Sequence, residues 1–169
     1  MLLSVQDALD PELFLSAMSR YASGVTLVTT TVDGEKWGFT ASSFSSVSAD
    51  PPLVLVCLDK GARSFRAFQK ATHYAIHLLS ADQSDIAMHF ARKSEDKFSG
   101  LDTTSSRNQA PILSGFLTLL HCRSEQVIDA GDHIVMIGRV EEVELGLGEP
   151  LVYFDRSFGS VRPAASSRG

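Results

Sequence analysis

The stretch Gly24–Leu58, GVTLVTTTVDGEKWGFTASSFSSVSADPPLVLVCL, holds three strand-like runs and one block that resists the same reading. Residues 25–32 form a β-branched run, Asp33-Gly34 is a hairpin signal, and 36–44 is the return strand. Leu53–Leu58 is a short, continuous apolar run that reads as a buried strand. Between them Thr40, Ser42, Ser43, Ser45, Ser46 and Ser48 place six hydroxyls in nine residues, with Phe44 and Val47 among them. A hydroxyl buried without a partner costs about 1–3 kcal/mol, so this block needs a physical reason.

Two reasons compete. The hydroxyls lie on a solvent face or cap turns, which is what Ser and Thr commonly do. Alternatively they point, with their backbone amides, at a ligand rich in hydrogen-bond acceptors. Alternation puts Thr40, Ser42 and Phe44 on one face and Ala41, Ser43 and Ser45 on the other, so neither face is cleanly polar.

Working outward, Asp10-Pro11 forms an N-cap with proline at the first helical position. Leu13, Phe14, Ala17, Met18 and Tyr21 follow at helical spacing, and Gly24 closes the segment. After the strand at 53–58, residues 59–71 hold a short helix and 73–80 another strand. Ser80 with Gln83 has the spacing of a capping box opening a helix through Ile86, Phe90 and Ala91. Residues 92–111 read as an irregular polar surface segment. Two long strands follow, 116–129 and 133–145, joined at Ala130-Gly131-Asp132, and 150–161 is a last strand. There is no internal repeat. Strands outnumber helices and hairpin signals join several of them, which predicts a mainly β chain with some α, an antiparallel barrel with peripheral helices. One domain over 1–169 is expected, with its core at about 14–161 and a frayed tail at 162–169.

The 169 residues are 44% hydrophobic and 21% charged, with net charge −5, an ordinary soluble globular balance that gives no support to nucleic-acid binding. No apolar run approaches the roughly 18 residues a membrane span needs. The N-terminus lacks a basic region followed by a long apolar one, so no secretory signal is expected. Cys57 and Cys122 each sit in an apolar run and read as free thiols in a reducing compartment, consistent with the cytoplasm. No Cys-x-x-Cys pair is present and no metal site is proposed.

The familiar nucleotide motifs are missing. Gly146-Leu147-Gly148 continues into Glu149-Pro150 rather than a dinucleotide fingerprint, and there is no P-loop and no Gly-x-Ser-x-Gly elbow. His73, His77, His89 and His121 read as structural. His133 differs in following the Gly131-Asp132 turn, from which a side chain can project into a cleft.

Taken together, the opening stretch, Ser64 at the start of a short helix, YAIHLLS, GDHIVMIGRV and PLVYF resemble the flavin reductase family, from about Phe14 to about Phe158. The resemblance implies a split, Greek-key antiparallel barrel of the flavin-binding type, a homodimer, and reduction of FMN or FAD by NADH or NADPH for a partner oxygenase. It also implies which residues hold the flavin. Thr40, Ala41, Ser42 and Ser43 would line the isoalloxazine. Ser46, Val47 and Ser48, with the turn Cys57, Leu58, Asp59, Lys60, Arg63 and Ser64, would hold the ribityl chain and phosphate. Phe90, Ala91 and Lys97 would complete the pocket, and His133 would stand by the nicotinamide as the catalytic contact. Tyr153 and Phe158 would wall the same cleft or fill a core. The same barrel hosts pyridoxamine-phosphate-oxidase-like enzymes, and a flavin binder that does not turn over is the other alternative.

Overall fold

A computed structural model describes residues 9–161 of the chain. The expectations for the extreme N-terminus and the 162–169 tail lie outside the described residues. Helix α1 (Pro11–Ser19) starts as expected: the Asp10 carboxylate accepts from the Glu12 N–H at 2.9 Å, with proline at the first position. It ends before Tyr21, and the chain passes Gly24 inside a short strand, β1 (Ser23–Gly24). The strands β2 (Thr26–Val32) and β3 (Glu35–Ala41) pair around Asp33 and Gly34, whose φ angles of 53° and 80° are those of a tight hairpin turn. Next come β4 (Ser45–Ala49), β5 (Pro52–Asp59), α2 (Phe65–Lys70), β6 (His73–Leu78) and α3 (Ser84–Ala91). The segment read as irregular contains a small pair, β7 (Thr103–Ser105) and β8 (Pro111–Leu113). The long hairpin β9 (Thr118–Ala130) and β10 (His133–Leu145) follows, then β11 (Val152–Phe154) and β12 (Ser157–Gly159).

Seven strands form one antiparallel sheet in the order β3-β2-β6-β9-β10-β5-β4. Its two outer strands, β3 and β4, are consecutive in the chain, so residues 42–44 join one edge to the other. Ser43 tacks that link to β5, because its Oγ accepts the Cys57 N–H at 3.0 Å and lies 3.3 Å from the Cys57 carbonyl. The sheet therefore curls until its edges approach, without a closed ring of ladder hydrogen bonds among the described residues. Bulges at Ile137/Gly138 and Val140/Glu142 bend the long hairpin along that curve.

The interior follows from period-two patterning. Val54, Val56 and Leu58 of β5 and Ile134 and Met136 of β10 face inward with Phe39, Phe68, Tyr74 and Ile76. In β2 three of the four threonines are buried, and they are satisfied: Thr26, Thr29 and Thr30 donate to the carbonyls of Ala41, Pro111 and His73 at 3.0, 2.7 and 2.7 Å. A second cluster around Leu27, Leu79, Phe90 and Leu151 seats α3 on the sheet.

Two expectations change. The run at 150–161 is not one strand but the hairpin β11–β12, turned at Asp155-Arg156, two non-glycine residues with φ of 47° and 62°. The Ser80–Gln83 box is half made: Gln83 Oε1 accepts the Ser80 N–H at 3.1 Å, but the Ser80 hydroxyl bonds Asp82 and Gly115 and the helix begins at Ser84. Helix α1 buries none of its residues; Leu13, Phe14, Leu15 and Met18 stay exposed.

Candidate active site

A cleft of about 320 Å³ opens between the end of β3, with the link that follows it, and the end of β5. Its lining comes from six places in the chain: the end of β3 and its link (Phe39, Thr40, Ala41, Ser42, Ser43), the end of β5 (Cys57, Leu58, Asp59), the turn before α2 (Ala62, Arg63, Ser64), the end of α3 with the residues after it (Phe90, Ala91, Arg92, Lys93), Lys97, and His133 at the head of β10. The size lies within the range of pockets that take drug-sized ligands, about 300–1,000 Å³.

The hydroxyl block resolves into separate uses. Thr40 donates to the Ala87 carbonyl at 2.7 Å, pinning the end of β3 to α3. Ser43 is spent on Cys57, as described, and Ser45 on the Ser46 carbonyl at 3.1 Å. Ser42 stays exposed in the cleft wall. Ser64 is 4% exposed yet lines the cleft, and its side chain makes no capping bond to the short helix it precedes.

Charge in the cleft runs against the acidic whole. Arg63, Arg92, Lys93 and Lys97 line it with one carboxylate, Asp59, which already accepts the Gly61 N–H at 2.6 Å. Lys97 donates to the Phe90 carbonyl at 2.6 Å, and burial, with Arg63 nearby, lowers its pKa. An anion seated there would relieve that penalty.

His133 stands opposite Asp59 in the β5–β10 ladder, and its Nδ1 lies 2.7 Å from Asp132 Oδ1. That bond and the Coulombic pull of the His133 ring hold the Asp132 carboxyl below its ordinary range. With Nδ1–H donating to Asp132, Nε2 remains as the ring's other polar atom.

The cleft thus gathers Thr40, Ala41, Ser42, Ser43, Cys57, Leu58, Asp59, Arg63, Ser64, Phe90, Ala91, Lys97 and His133, all expected from the sequence. Six expected residues fall outside it. Ser46, Val47 and Ser48 sit on edge strand β4, where Val47 is the extra residue of a bulge and is 47% exposed. Lys60 turns toward the β9–β10 turn, bonding the Gly131 carbonyl and pairing with Asp129. Tyr153 and Phe158 stack edge to face at 5.5 Å and pack on the second core cluster. Four residues were missed. Phe39 and Ala62 carry no chemical signal, and Arg92-Lys93 was read as surface because it opens a polar segment. Cys57 is half-buried at the cleft rather than in the core, while Cys122 is buried and its thiol is pushed up to about 12 by burial.

The other histidines are structural by their bonds. His73 and His77 stand four apart, but His77 is fully buried, with Nδ1 3.1 Å from the Leu27 carbonyl oxygen and Nε2 accepting the Leu113 N–H at 3.2 Å. His89 and His121 bond the Lys97 carbonyl and Glu144, each at 2.8 Å.

Comparison with known proteins adds a second line. Actinorhodin polyketide dimerase of Streptomyces coelicolor is 42% identical over 162 residues, 95% of this chain and 92% of its own length. The reductase subunit HsaB of a flavin-dependent monooxygenase from Rhodococcus jostii is 35% identical over 158 residues, 93% of this chain and 81% of its own. Some relatives are longer; the chain spans 45% of one from Rhizobium meliloti. Among solved structures, the NADH:FAD oxidoreductase SgcE6 of Streptomyces globisporus, in complex with NAD and FAD fragments, superposes with a TM-score of 0.85 at 30% identity, covering 99% of this chain and 100% of that one. The flavin reductase like domain matches residues 18–162, a span that holds every segment lining the cleft, and the chain belongs to that family.

Proposed function

We propose that the protein is an NAD(P)H-dependent flavin reductase, which catalyses NAD(P)H + flavin + H⁺ → NAD(P)⁺ + reduced flavin and supplies the product to a partner monooxygenase. The observation that carries this reading is the convergence of the Thr40–Ser43 link, the Arg63-Ser64 turn and His133 on one cleft, in a chain of this family. The residues fit a flavin. Ser42 offers its hydroxyl and the link at Ala41–Ser43 its backbone to a polar heterocycle, Phe39 and Phe90 offer apolar wall, and Ser64, Arg63 and Lys97 suit a phosphate.

The flavin, when bound, supplies the chemistry, since its ring accepts a hydride from reduced nicotinamide. The chain's part is positional and electrostatic. Amides of the β3–β4 link would stabilise negative charge on a bound flavin ring. Arg63 and Lys97 would hold its phosphate end. Asp132 holds His133 in one tautomer, and the imidazole orients the nicotinamide rather than moving a proton. Phe39, Leu58 and Phe90, all buried, give the cleft an apolar wall.

We read the working form as a homodimeric split barrel in the cytoplasm. The uncovered apolar side chains of α1, together with exposed Val127, Ile128, Val143 and Leu145, support a partner copy. Two free cysteines accord with a reducing compartment. No described helix is long and apolar enough to cross a membrane.

The test is anaerobic mixing of purified protein with FMN or FAD and NADH or NADPH. Bleaching of the flavin absorbance is expected. Tight flavin binding without bleaching by either nicotinamide would leave a carrier or an oxidase, and the reductase reading would fall.

A further inference from the structure

From Lys60 to Ala81 the chain carries no carboxylate, so the turn before α2 and α2 itself are cationic without internal relief. The nearest acid in sequence, Asp59, is spent on the Gly61 N–H at 2.6 Å. The negative charge that Arg63 does meet comes from another part of the chain. Glu95, on the segment after α3, places Oε1 3.7 Å from Arg63 Nη1, and this is the one ion pair of either residue among the described residues. Both residues line a second cleft, of about 470 Å³, which shares Arg63, Ser64 and Lys97 with the first.

The segment that carries Glu95 is anchored close by. The Lys97 carbonyl accepts from His89 Nε2 at 2.8 Å, and the Lys97 ammonium donates to the Phe90 carbonyl at 2.6 Å. The neighbouring acid, Asp96, accepts the N–H groups of Phe98 and Ser99 at 3.1 and 3.0 Å and is used up in its own turn. Glu95 has no such duty. Its side chain is 95% exposed, and 3.7 Å is too long for a hydrogen bond, so charge alone holds the pair. An exposed pair of this kind is weak. A phosphate monoester offers a guanidinium two parallel hydrogen bonds and more negative charge, so it is the stronger claimant.

We propose that Glu95 is a tethered competitor for Arg63: its carboxylate contests the guanidinium with the phosphate of a flavin nucleotide, and by its nearness weakens the nucleotide's hold. The proposal rests on the reading of Arg63 as a phosphate contact. Its consequence is functional. A protein that hands its product to a second protein has to let that product go. A carboxylate kept within reach of the phosphate subsite limits affinity there and leaves the ring subsite untouched.

Dissociation constants and dissociation rates for FMN and riboflavin are measured by flavin fluorescence, with no nicotinamide present, on the wild-type chain, Glu95→Gln, Arg63→Gln and the double variant. Physiological ionic strength confines the effect to charges within about 8 Å. Glu95→Gln is expected to tighten FMN by about two- to five-fold, the scale of one exposed ion pair, chiefly through slower dissociation. Riboflavin, which has no phosphate, is expected to bind as before. The melting temperature is expected to stay native, because the pair is exposed. In the Arg63→Gln background the same change is expected to do little, since the group that the two anions contest is gone. Glu35→Gln is the charge control: it removes one negative charge from the wall of the second cleft and breaks no ion pair of Arg63, and FMN is expected to bind to it as to the wild-type chain. Weaker FMN binding by Glu95→Gln would overturn the proposal and make Glu95 a residue that holds Arg63 in place for the ligand. An unchanged FMN affinity, equal tightening of riboflavin, equal tightening by Glu35→Gln, or tightening that persists without Arg63 would overturn it too, while leaving the flavin reading intact. Absence of binding by both flavins to the wild-type chain would overturn both readings.

Discussion

The Lys60 ammonium donates a 2.6 Å hydrogen bond to the carbonyl oxygen of Gly131, tying the end of β5 to the turn that presents His133. The Lys60 main-chain N–H bonds the next carbonyl, Asp132, at 2.9 Å, and its ammonium also pairs with Asp129. One residue therefore braces both carbonyls of the β9–β10 turn. Sequence proximity to Arg63 and Ser64 assigns Lys60 to a phosphate; the structure spends it on positioning. Lys60→Met is expected to raise KM for NAD(P)H by about three- to ten-fold, as a loosened contact misplaces the ring, with FMN and riboflavin affinities unchanged. Loss of FMN but not riboflavin affinity would restore the phosphate role.

His133→Ala tests the contact that the brace positions. The imidazole is half exposed and its one bond is to its neighbour Asp132, so it adds little to the fold. KM for NAD(P)H is expected to rise, and kcat to fall by up to about 10²-fold, with flavin affinity and melting temperature near native. A large drop in melting temperature with unchanged KM would make the residue structural.

Ser64→Asp places a carboxylate where Arg63 and Lys97 converge. Asp is as good as Ser at a helix N-cap, so the fold is expected to survive. FMN affinity is expected to fall by about ten-fold or more through displacement and repulsion of the phosphate, and riboflavin affinity to change much less. Equal losses for both flavins would show that Ser64 does not face a phosphate.

The strands and the turn chemistry of this chain are local properties, and they were legible. Asp33-Gly34 names its own turn, and residues 133–145 name their own strand. The cleft was legible where function leaves a mark on composition, as in the hydroxyl block and the Gly131-Asp132-His133 turn. Pairing across the sheet leaves no such mark. Nothing in DKGARS shows that Lys60 reaches a carbonyl seventy-one residues away. Nothing in SSVSA shows that Val47 bulges out of the β4–β5 ladder. The β11–β12 hairpin was hidden because Asp155 and Arg156 adopt a conformation usually reserved for glycine and asparagine.

Gly38 is a close-approach position. A Cβ added there would lie 2.8 Å from Cε1 of Phe90 and 3.2 Å from Cζ of Phe98. Phe90 cannot yield easily, being 1% exposed and packed edge to face with Phe98 at 5.1 Å and His89 at 5.3 Å. Gly38→Ala is expected to cost about 1–3 kcal/mol in urea unfolding, the scale of core overpacking. It should also weaken flavin binding, because Phe90 and Ala91 line the cleft. Wild-type stability would mean that α3 can shift away without loss.

His77 sets an acid limit on the fold. It is fully buried on β6, with Nδ1–H donating to the Leu27 carbonyl and Nε2 accepting from the Leu113 N–H, so both nitrogens of a neutral ring are satisfied. Protonation would put a donor where Leu113 already donates. Burial depresses its pKa to about 4; the Leu27 bond opposes that shift, His121 adds to it, and Glu144 opposes it. In the unfolded chain the group titrates near about 6.5. Below that pH the unfolded state binds the extra proton, so the contribution is whole above about 6.5 and is lost as pH falls toward about 4. At about 1.4 kcal/mol per pH unit the full loss is about 3 kcal/mol. Urea unfolding at several pH values between these limits, on the wild-type chain and on His77→Gln, measures it. Gln keeps one of the two bonds and does not titrate. The variant is expected to be less stable near neutrality and to lack this part of the acid slope, so that the two curves converge as pH falls. Parallel curves across that window would show that the acid sensitivity arises elsewhere.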